Sequence, residues 1–221
     1  MIKLVVFDWN GTLIADARAC MDADNSVLKM YAGRTVSLQE YRETVVIPAV
    51  EFYVKNGVDR ARIIREAKEV SENFHSFYES RAAKVRTRNG ARKLLAWLFK
   101  NKIETIILSN HSVKGIESQL QRLDLQKYFS HVFANSNLAT SLQGQNKREK
   151  LMAFLQGNSA RPTDSIIVGD SPEEVEIGKY AGIKTVAIKN GYYSTRRLKE
   201  SKPDYLIGNL NQLIGIIEKF D

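Results

Sequence analysis

The segment FDWNGTL, residues 7–13, places Asp8 at the end of an apolar run and follows it with Asn10, Gly11 and Thr12. A carboxylate at a strand end, next to a glycine turn with free backbone N–H groups, can attack phosphorus and form an aspartyl-phosphate. The plainer role for such an aspartate is to cap a turn or a helix. Two more apolar runs end in polar groups: IETIIL in Ser109-Asn110, and SIIVG in Asp170. The Ser109 hydroxyl and the next backbone N–H could hold a phosphoryl oxygen, although Ser/Asn after a strand is also common at a helix N-cap. QNKREK offers Lys147, Arg148 and Lys150 as cations to neutralise a transferring phosphoryl group. In GDSPEE, Ser171 and Glu174 have capping-box spacing, with Pro172 at the first helical position. That gives Glu174 a structural task and leaves Asp170 without one.

Parallel strands must position these groups. From Arg86 onward, β-branched runs alternate with helical patterns. Strands are expected at 103–108, 131–134, 165–170, 184–189 and 204–208. Helices are expected between them: 111–125, about 146–156, 172–182 and a closing one over 210–220. In GARKLLAWLFKNK, Ala91, Leu94, Leu95, Leu98 and Phe99 share one helical face. LVVF, residues 4–7, is a further strand at the other end of the chain. The pattern implies βαβ units and a doubly wound, Rossmann-like parallel sheet. Residues 15–85 are polar and helical in period, punctuated by Gly33, Pro48 and Gly57. The expected organisation is therefore an α/β core over 1–14 and 86–221, with a helical insert over 15–85. Ligands of such sheets bind beyond the carboxyl ends of the strands, where the insert would form a lid.

FDWNGTL, LSN, a lysine near 147 and VGDSPEE, in that order, resemble the four motifs of the haloacid dehalogenase (HAD) superfamily. The resemblance spans nearly the whole chain, with the insert where the family's first-type cap lies. VGDSPEEVEIGKYAGIKTVAI is similar to the phosphoglycolate phosphatase and β-phosphoglucomutase branch. The resemblance implies Asp8 as nucleophile, Ser109 and Lys147 as phosphoryl contacts, and Asn110, Gly11 and Thr12 as helpers in binding. It implies Mg²⁺ on Asp8, on the Asn10 carbonyl and on Asp170, hard oxygen donors that suit this ion. Glu174 matches a second family acid, usually aspartate, so a metal contact is weighed beside its capping role. Lys150 is the alternative to Lys147.

The departure is Asn10. In HAD phosphatases the residue two after the nucleophile is usually a second aspartate, which protonates the leaving alcohol and then activates water. Asn10 keeps the carbonyl and loses the acid, so proton transfer worth about 10²–10⁴-fold should be impaired. Asp16 is the nearby acid in sequence. The expected activity is a Mg²⁺-dependent phosphatase, slowed where nothing replaces the missing acid, acting on a small phosphorylated metabolite; the alternative is a protein that binds a phosphorylated ligand or a partner without turnover. A good leaving group, as in an acyl phosphate, would need the acid least.

The totals set limits. The chain has 221 residues, 43% hydrophobic and 26% charged, an ordinary globular profile. One cysteine, Cys20, rules out an intramolecular disulfide and fits the cytoplasm, and no stretch approaches a membrane span. The net charge of +8 spares the near-neutral insert. Without aromatic interleaving or a known motif it argues against nucleic acid as a partner. A monomer or homodimer is expected. For the substrate's remainder the insert offers Arg18, Arg34 and Arg42; at Pro48 the resemblance implies a substrate-facing loop, and the residues alone imply a simple turn between helices. Tyr192 and Tyr193 are expected to cover the sheet.

Overall fold

The computed structural model describes residues 1–135, 147–157 and 161–220. Six strands form one parallel sheet: β1 (Leu4–Phe7), β2 (Glu104–Ser112), β3 (His131–Asn135), β4 (Ser165–Gly169), β5 (Lys184–Ile188) and β6 (Tyr205–Ile207). Their order is β3-β2-β1-β4-β5-β6. LVVF is buried throughout because β1 is central, pairing with β2 on one side and β4 on the other. A strand covered on both faces needs such an unbroken apolar run. The direction of winding reverses between β1 and β4, so the crevice at the carboxyl ends of these two strands is where this architecture places a ligand. Asp8 and Asp170 immediately follow β1 and β4.

Between β1 and the first core helix, the chain forms α1 (Ala17–Met30), α2 (Leu38–Thr44), α3 (Ala49–Lys55), α4 (Arg60–Arg65) and α5 (Ala67–Ala82). These helices gather a hydrophobic cluster of their own, including Val27, Leu28, Tyr41, Phe52, Val70 and Tyr78. The cluster extends to Val175, Ala187, Tyr193 and Leu198 near the sheet, so the insert packs onto the carboxyl-end rim. Arg42 reinforces that docking by donating to the backbone carbonyls of Asn190 and Gly191.

The core helices are α6 (Ala91–Lys100), α7 (Val113–Leu123), α8 (Lys147–Gly157), α9 (Pro172–Ala181), α10 (Thr195–Glu200) and α11 (Gln212–Ile217). Of the helix expected over 146–156, residue 146 lies outside the described residues. Several elements differ from the sequence reading. In α6, Ala91, Leu94, Leu95 and Leu98 are buried, but Phe99 is 61% exposed. At 100° per residue Phe99 falls at the margin of the stripe the other four complete. β2 runs on to Ser112, with its register to β3 shifted between Leu108 and Ser112, so His111 lies in a strand extension and not in a helix. Ser112 caps α7 instead, accepting from the Gly115 N–H. α10, capped by Ser194, was not anticipated. Among the described residues, no helix is long and apolar enough to cross a membrane.

Candidate active site

The loop after β1 is anchored behind the rim. The Trp9 indole is buried and donates to Gln119 at 2.7 Å, which sends the chain into a tight turn. Gly11 takes φ +73°, a conformation that favours glycine. A Cβ there would collide with the Asp170 carboxylate, so the absent side chain lets the two motifs touch. The Thr12 hydroxyl donates to Asp170 Oδ1 at 3.0 Å, and the Tyr192 N–H donates to Oδ2. Asp170 is held against the Asp8 turn from both sides.

Lys147 reaches Asp8 from the first turn of α8. Its ammonium, buried, lies 2.8 Å from Asp8 Oδ1, 2.5 Å from Glu174 Oε1 and 3.5 Å from Glu173 Oε2. Desolvation disfavours the charged lysine, but Asp8, Glu174 and Glu173 together outweigh it and hold its pKa well above the ordinary value. Three largely buried carboxylates, Asp8, Glu173 and Glu174, therefore face one ammonium, and Asp170 adds a fourth negative charge beside Asp8. Burial, with Lys147 opposing and Glu174 and Asp170 adding repulsion, raises Asp8 well above the usual range. Burial likewise pushes Asp170 up to about 7. Excess negative charge on hard oxygens in a closed site is relieved by a divalent cation, so the donor set fits Mg²⁺.

Lys150, by contrast, donates to the Ala134 carbonyl and to Asn135 Oδ1. Lys147→Gln should lower kcat/KM by about 10²-fold, whereas Lys150→Ala should stay within about threefold. Steady-state kinetics on the two variants checks this.

The remaining residues singled out in the sequence are placed as follows. Ser109, buried, accepts from the His111 N–H at 3.1 Å, and its hydroxyl lies 3.4 Å from Asn10 Oδ1. Asn110 donates from Nδ2 to Glu173. Ser171 accepts from the Glu173 N–H and donates to Glu174 Oε2, so the reciprocal capping box expected for Glu174 is replaced by an ion pair with Lys147. The geometry of α9 explains it: a carboxylate turned toward a buried ammonium cannot also reach back to the cap N–H. Asn10 donates from Nδ2 to Asp16 Oδ2 at 2.8 Å and to the Tyr78 hydroxyl at 2.7 Å. Asp16 also accepts from Tyr78, Tyr192 and the Gly11 N–H, and is fully buried.

A cavity of about 180 Å³ opens over this rim. Asp8, Asn10, Ser109, Asn110, Lys147, Asp170 and Glu174 line it; Gly11 and Thr12 do not. Its insert side is aromatic and aliphatic: Tyr41, Phe52, Tyr53, Phe74, Tyr78 and the Val45–Ile47 segment. Tyr192 and Tyr193 line it too, contrary to expectation, because the loop after β5 bends back to donate to Asp170. Arg18, Arg34, Arg42 and Pro48 are not among the lining residues; Arg34 pairs with Glu40 at the surface. Glu173, Tyr78, His75 and His111 are among the contributors that sequence reading missed. Glu173 carried a signal, as the second acid of SPEE. The others lay in helical or helix-capping patterns that gave no sign of pointing inward.

One lining acid belongs to the insert alone. Asp24 accepts from the Tyr41 and Tyr53 hydroxyls, each at 2.6 Å, yet burial raises it to about 6. Above about pH 4 the unfolded aspartate has lost its proton while the folded one keeps it until about pH 6. Stability should therefore fall as pH rises across that window, by on the order of 3 kcal/mol. Urea unfolding at several pH values should show this component vanish in Asp24→Asn.

A family model for haloacid dehalogenase-like hydrolases matches residues 5–188. The chain belongs to this family. Among relatives of this hydrolase, a phosphoglycolate phosphatase from Pseudomonas fluorescens is 28% identical over 221 residues, spanning 98% of this chain and 80% of its own. A haloacid dehalogenase-like hydrolase from Streptococcus pneumoniae superposes with a TM-score of 0.80 at 18% identity, covering 97% of this chain and 98% of its own. CbbY from Rhodobacter sphaeroides, solved in complex with phosphate, superposes with a TM-score of 0.74 at 17% identity, over 96% of each chain. At these identities the solved structures establish the fold.

Proposed function

We propose that this HAD-family hydrolase is a Mg²⁺-dependent phosphatase acting on a small phosphorylated metabolite through an aspartyl-phosphate on Asp8. The observation that carries the reading is the buried Lys147–Asp8 contact at the carboxyl end of β1, inside a cavity that also presents Ser109 and Asp170. Phosphatases named among the relatives support the reaction class. Asp8, Asp170 and the Asn10 carbonyl would hold Mg²⁺, which supplies charge neutralisation for the phosphoryl group. Lys147, at Asp8 Oδ1, would hold in place the carboxylate that attacks phosphorus. Ser109 and Lys147 bind phosphoryl oxygens, and residues 15–85 act as the cap that excludes water.

The cavity also bears on the substrate. Among the described residues lining it, the basic groups are Lys147 and two imidazoles, and no arginine or second lysine faces the insert side. A substrate carboxylate, such as that of phosphoglycolate, would meet aromatic rings and Asp24 there. The reading therefore favours a substrate without a fixed charge on its leaving group and, since Asn10 supplies no acid, one whose leaving group is good, such as an aryl or acyl phosphate. The test is Mg²⁺-dependent phosphate release from p-nitrophenyl phosphate, acetyl phosphate, alkyl phosphates and phosphoglycolate. Aryl and acyl phosphates should exceed phosphoglycolate in kcat/KM by at least about tenfold. Ligand-dependent thermal stabilisation with no release from any of them would favour a binding protein instead.

A further inference from the structure

Two buried imidazoles and a carboxylate meet where the insert touches the sheet, and the phosphatase reading uses none of them. His75 and Glu79 stand one turn apart on α5, so they share a helix face. His111 comes from the extended end of β2. One ligating atom from each residue lies within 4.8 Å of the other two. His111 Nε2 is 3.2 Å from Glu79 Oε1, and the two imidazoles lie 6.0 Å apart with their planes inclined by 24°. Each histidine is 8% exposed. His75 Nδ1 and His111 Nε2 are buried without a hydrogen-bond partner, since the approach of Glu79 misses hydrogen-bond geometry. Buried ring nitrogens are normally satisfied, so a pair left open beside a carboxylate calls for a ligand.

We propose that His75, Glu79 and His111 form a binding site for a divalent transition-metal ion of the Zn²⁺ class. Imidazole nitrogen with one carboxylate suits Zn²⁺ or Co²⁺ and disfavours Mg²⁺, which prefers an all-oxygen octahedron. With metal–ligand bonds of about 2.0–2.1 Å, ligands on a tetrahedron lie about 3.3 Å apart, close to the His111–Glu79 separation. Glu79, with its side chain 43% exposed, has the freedom to close the wider gaps. His75 and His111 line the cavity, so a fourth position would open toward it. Because α5 supplies two ligands and β2 the third, a bound ion would fasten the insert to the sheet.

The experiment titrates metal-free protein with Co²⁺ in excess Mg²⁺, following visible d–d absorption, and measures thermal unfolding with and without Zn²⁺. Wild type should take up one Co²⁺ with tetrahedral bands that Zn²⁺ displaces, and Zn²⁺ should raise Tm. Glu79→Gln and His75→Ala should each weaken binding by more than about tenfold and lose the Tm shift, while Asp170→Asn keeps both. If His75→Ala does not fold, Glu79→Gln decides, being a conservative change at a half-exposed side chain. A colourless wild-type titration, bands that survive Glu79→Gln, or bands that disappear with Asp170→Asn would each overturn the site.

Discussion

Asp8→Asn should abolish phosphate release, by at least about 10⁴-fold, and should leave the fold at least as stable as before. The asparagine is isosteric but cannot form the covalent phosphoryl bond, so the loss falls on chemistry and not on shape. Stability should hold because Asp8 is one of three carboxylates sharing the Lys147 ammonium. Desolvation and its acidic neighbours already disfavour its charge, and Lys147 retains Glu174 and Glu173 when Asp8 is neutralised. In metal-free protein at neutral pH the urea midpoint should therefore be unchanged or higher, whereas Mg²⁺ should stabilise the variant less than wild type. The two readouts separate a dead nucleophile from a damaged protein. Residual turnover above about one part in a hundred, in a well-folded variant, would exclude Asp8 as the covalent group.

How far the sequence reaches is visible in the same residues. The parallel sheet was legible because each buried strand must be a continuous apolar run, and LVVF, TIIL and SIIVG are such runs. Their polar ends marked Asp8, Ser109 and Asp170, and the structure brings all three to one cavity. The choice between Lys147 and Lys150 was not legible. Three residues apart on one helix, they differ only in which way the helix is turned, and packing of α8 against β2 and β3 decides that. For Glu174 local spacing allows a cap and the resemblance allows a metal contact, and neither points to the buried ammonium, which competes more strongly than one backbone N–H. The insert was the least legible part. The side chains that face the cavity, Tyr78, Phe74 and His75, sit in α5 among the same aromatic and polar types that cover its outer face.

Asn10→Asp should raise turnover of alkyl phosphates by about 10²–10⁴-fold, and the structure states the condition under which it does so. Asn10 Nδ2 lies 2.8 Å from Asp16 Oδ2, so the new carboxyl would face an existing carboxylate at hydrogen-bond distance. Two such groups cannot both ionise, and the pair must hold a proton to higher pH than either acid alone. Asp16 Oδ2 already accepts from the Tyr78 and Tyr192 hydroxyls, so it enters the new contact as the acceptor. The proton therefore belongs on the new side chain, the state a general acid needs. Rates should fall as pH rises through the pair's apparent pKa. Stability should fall over the same range, because the folded variant holds a proton that the unfolded chain has released. At high pH, loss of the two Nδ2 hydrogen bonds adds about 1–3 kcal/mol of destabilisation. Initial rates and urea midpoints measured from about pH 5.5 to 8.5 test both expectations. A folded variant with no gain on any substrate would sink the assignment of position 10 to proton transfer. A gain on alkyl esters but not on acyl phosphates would place the wild-type deficit at the leaving oxygen, where an acyl group needs no proton to depart.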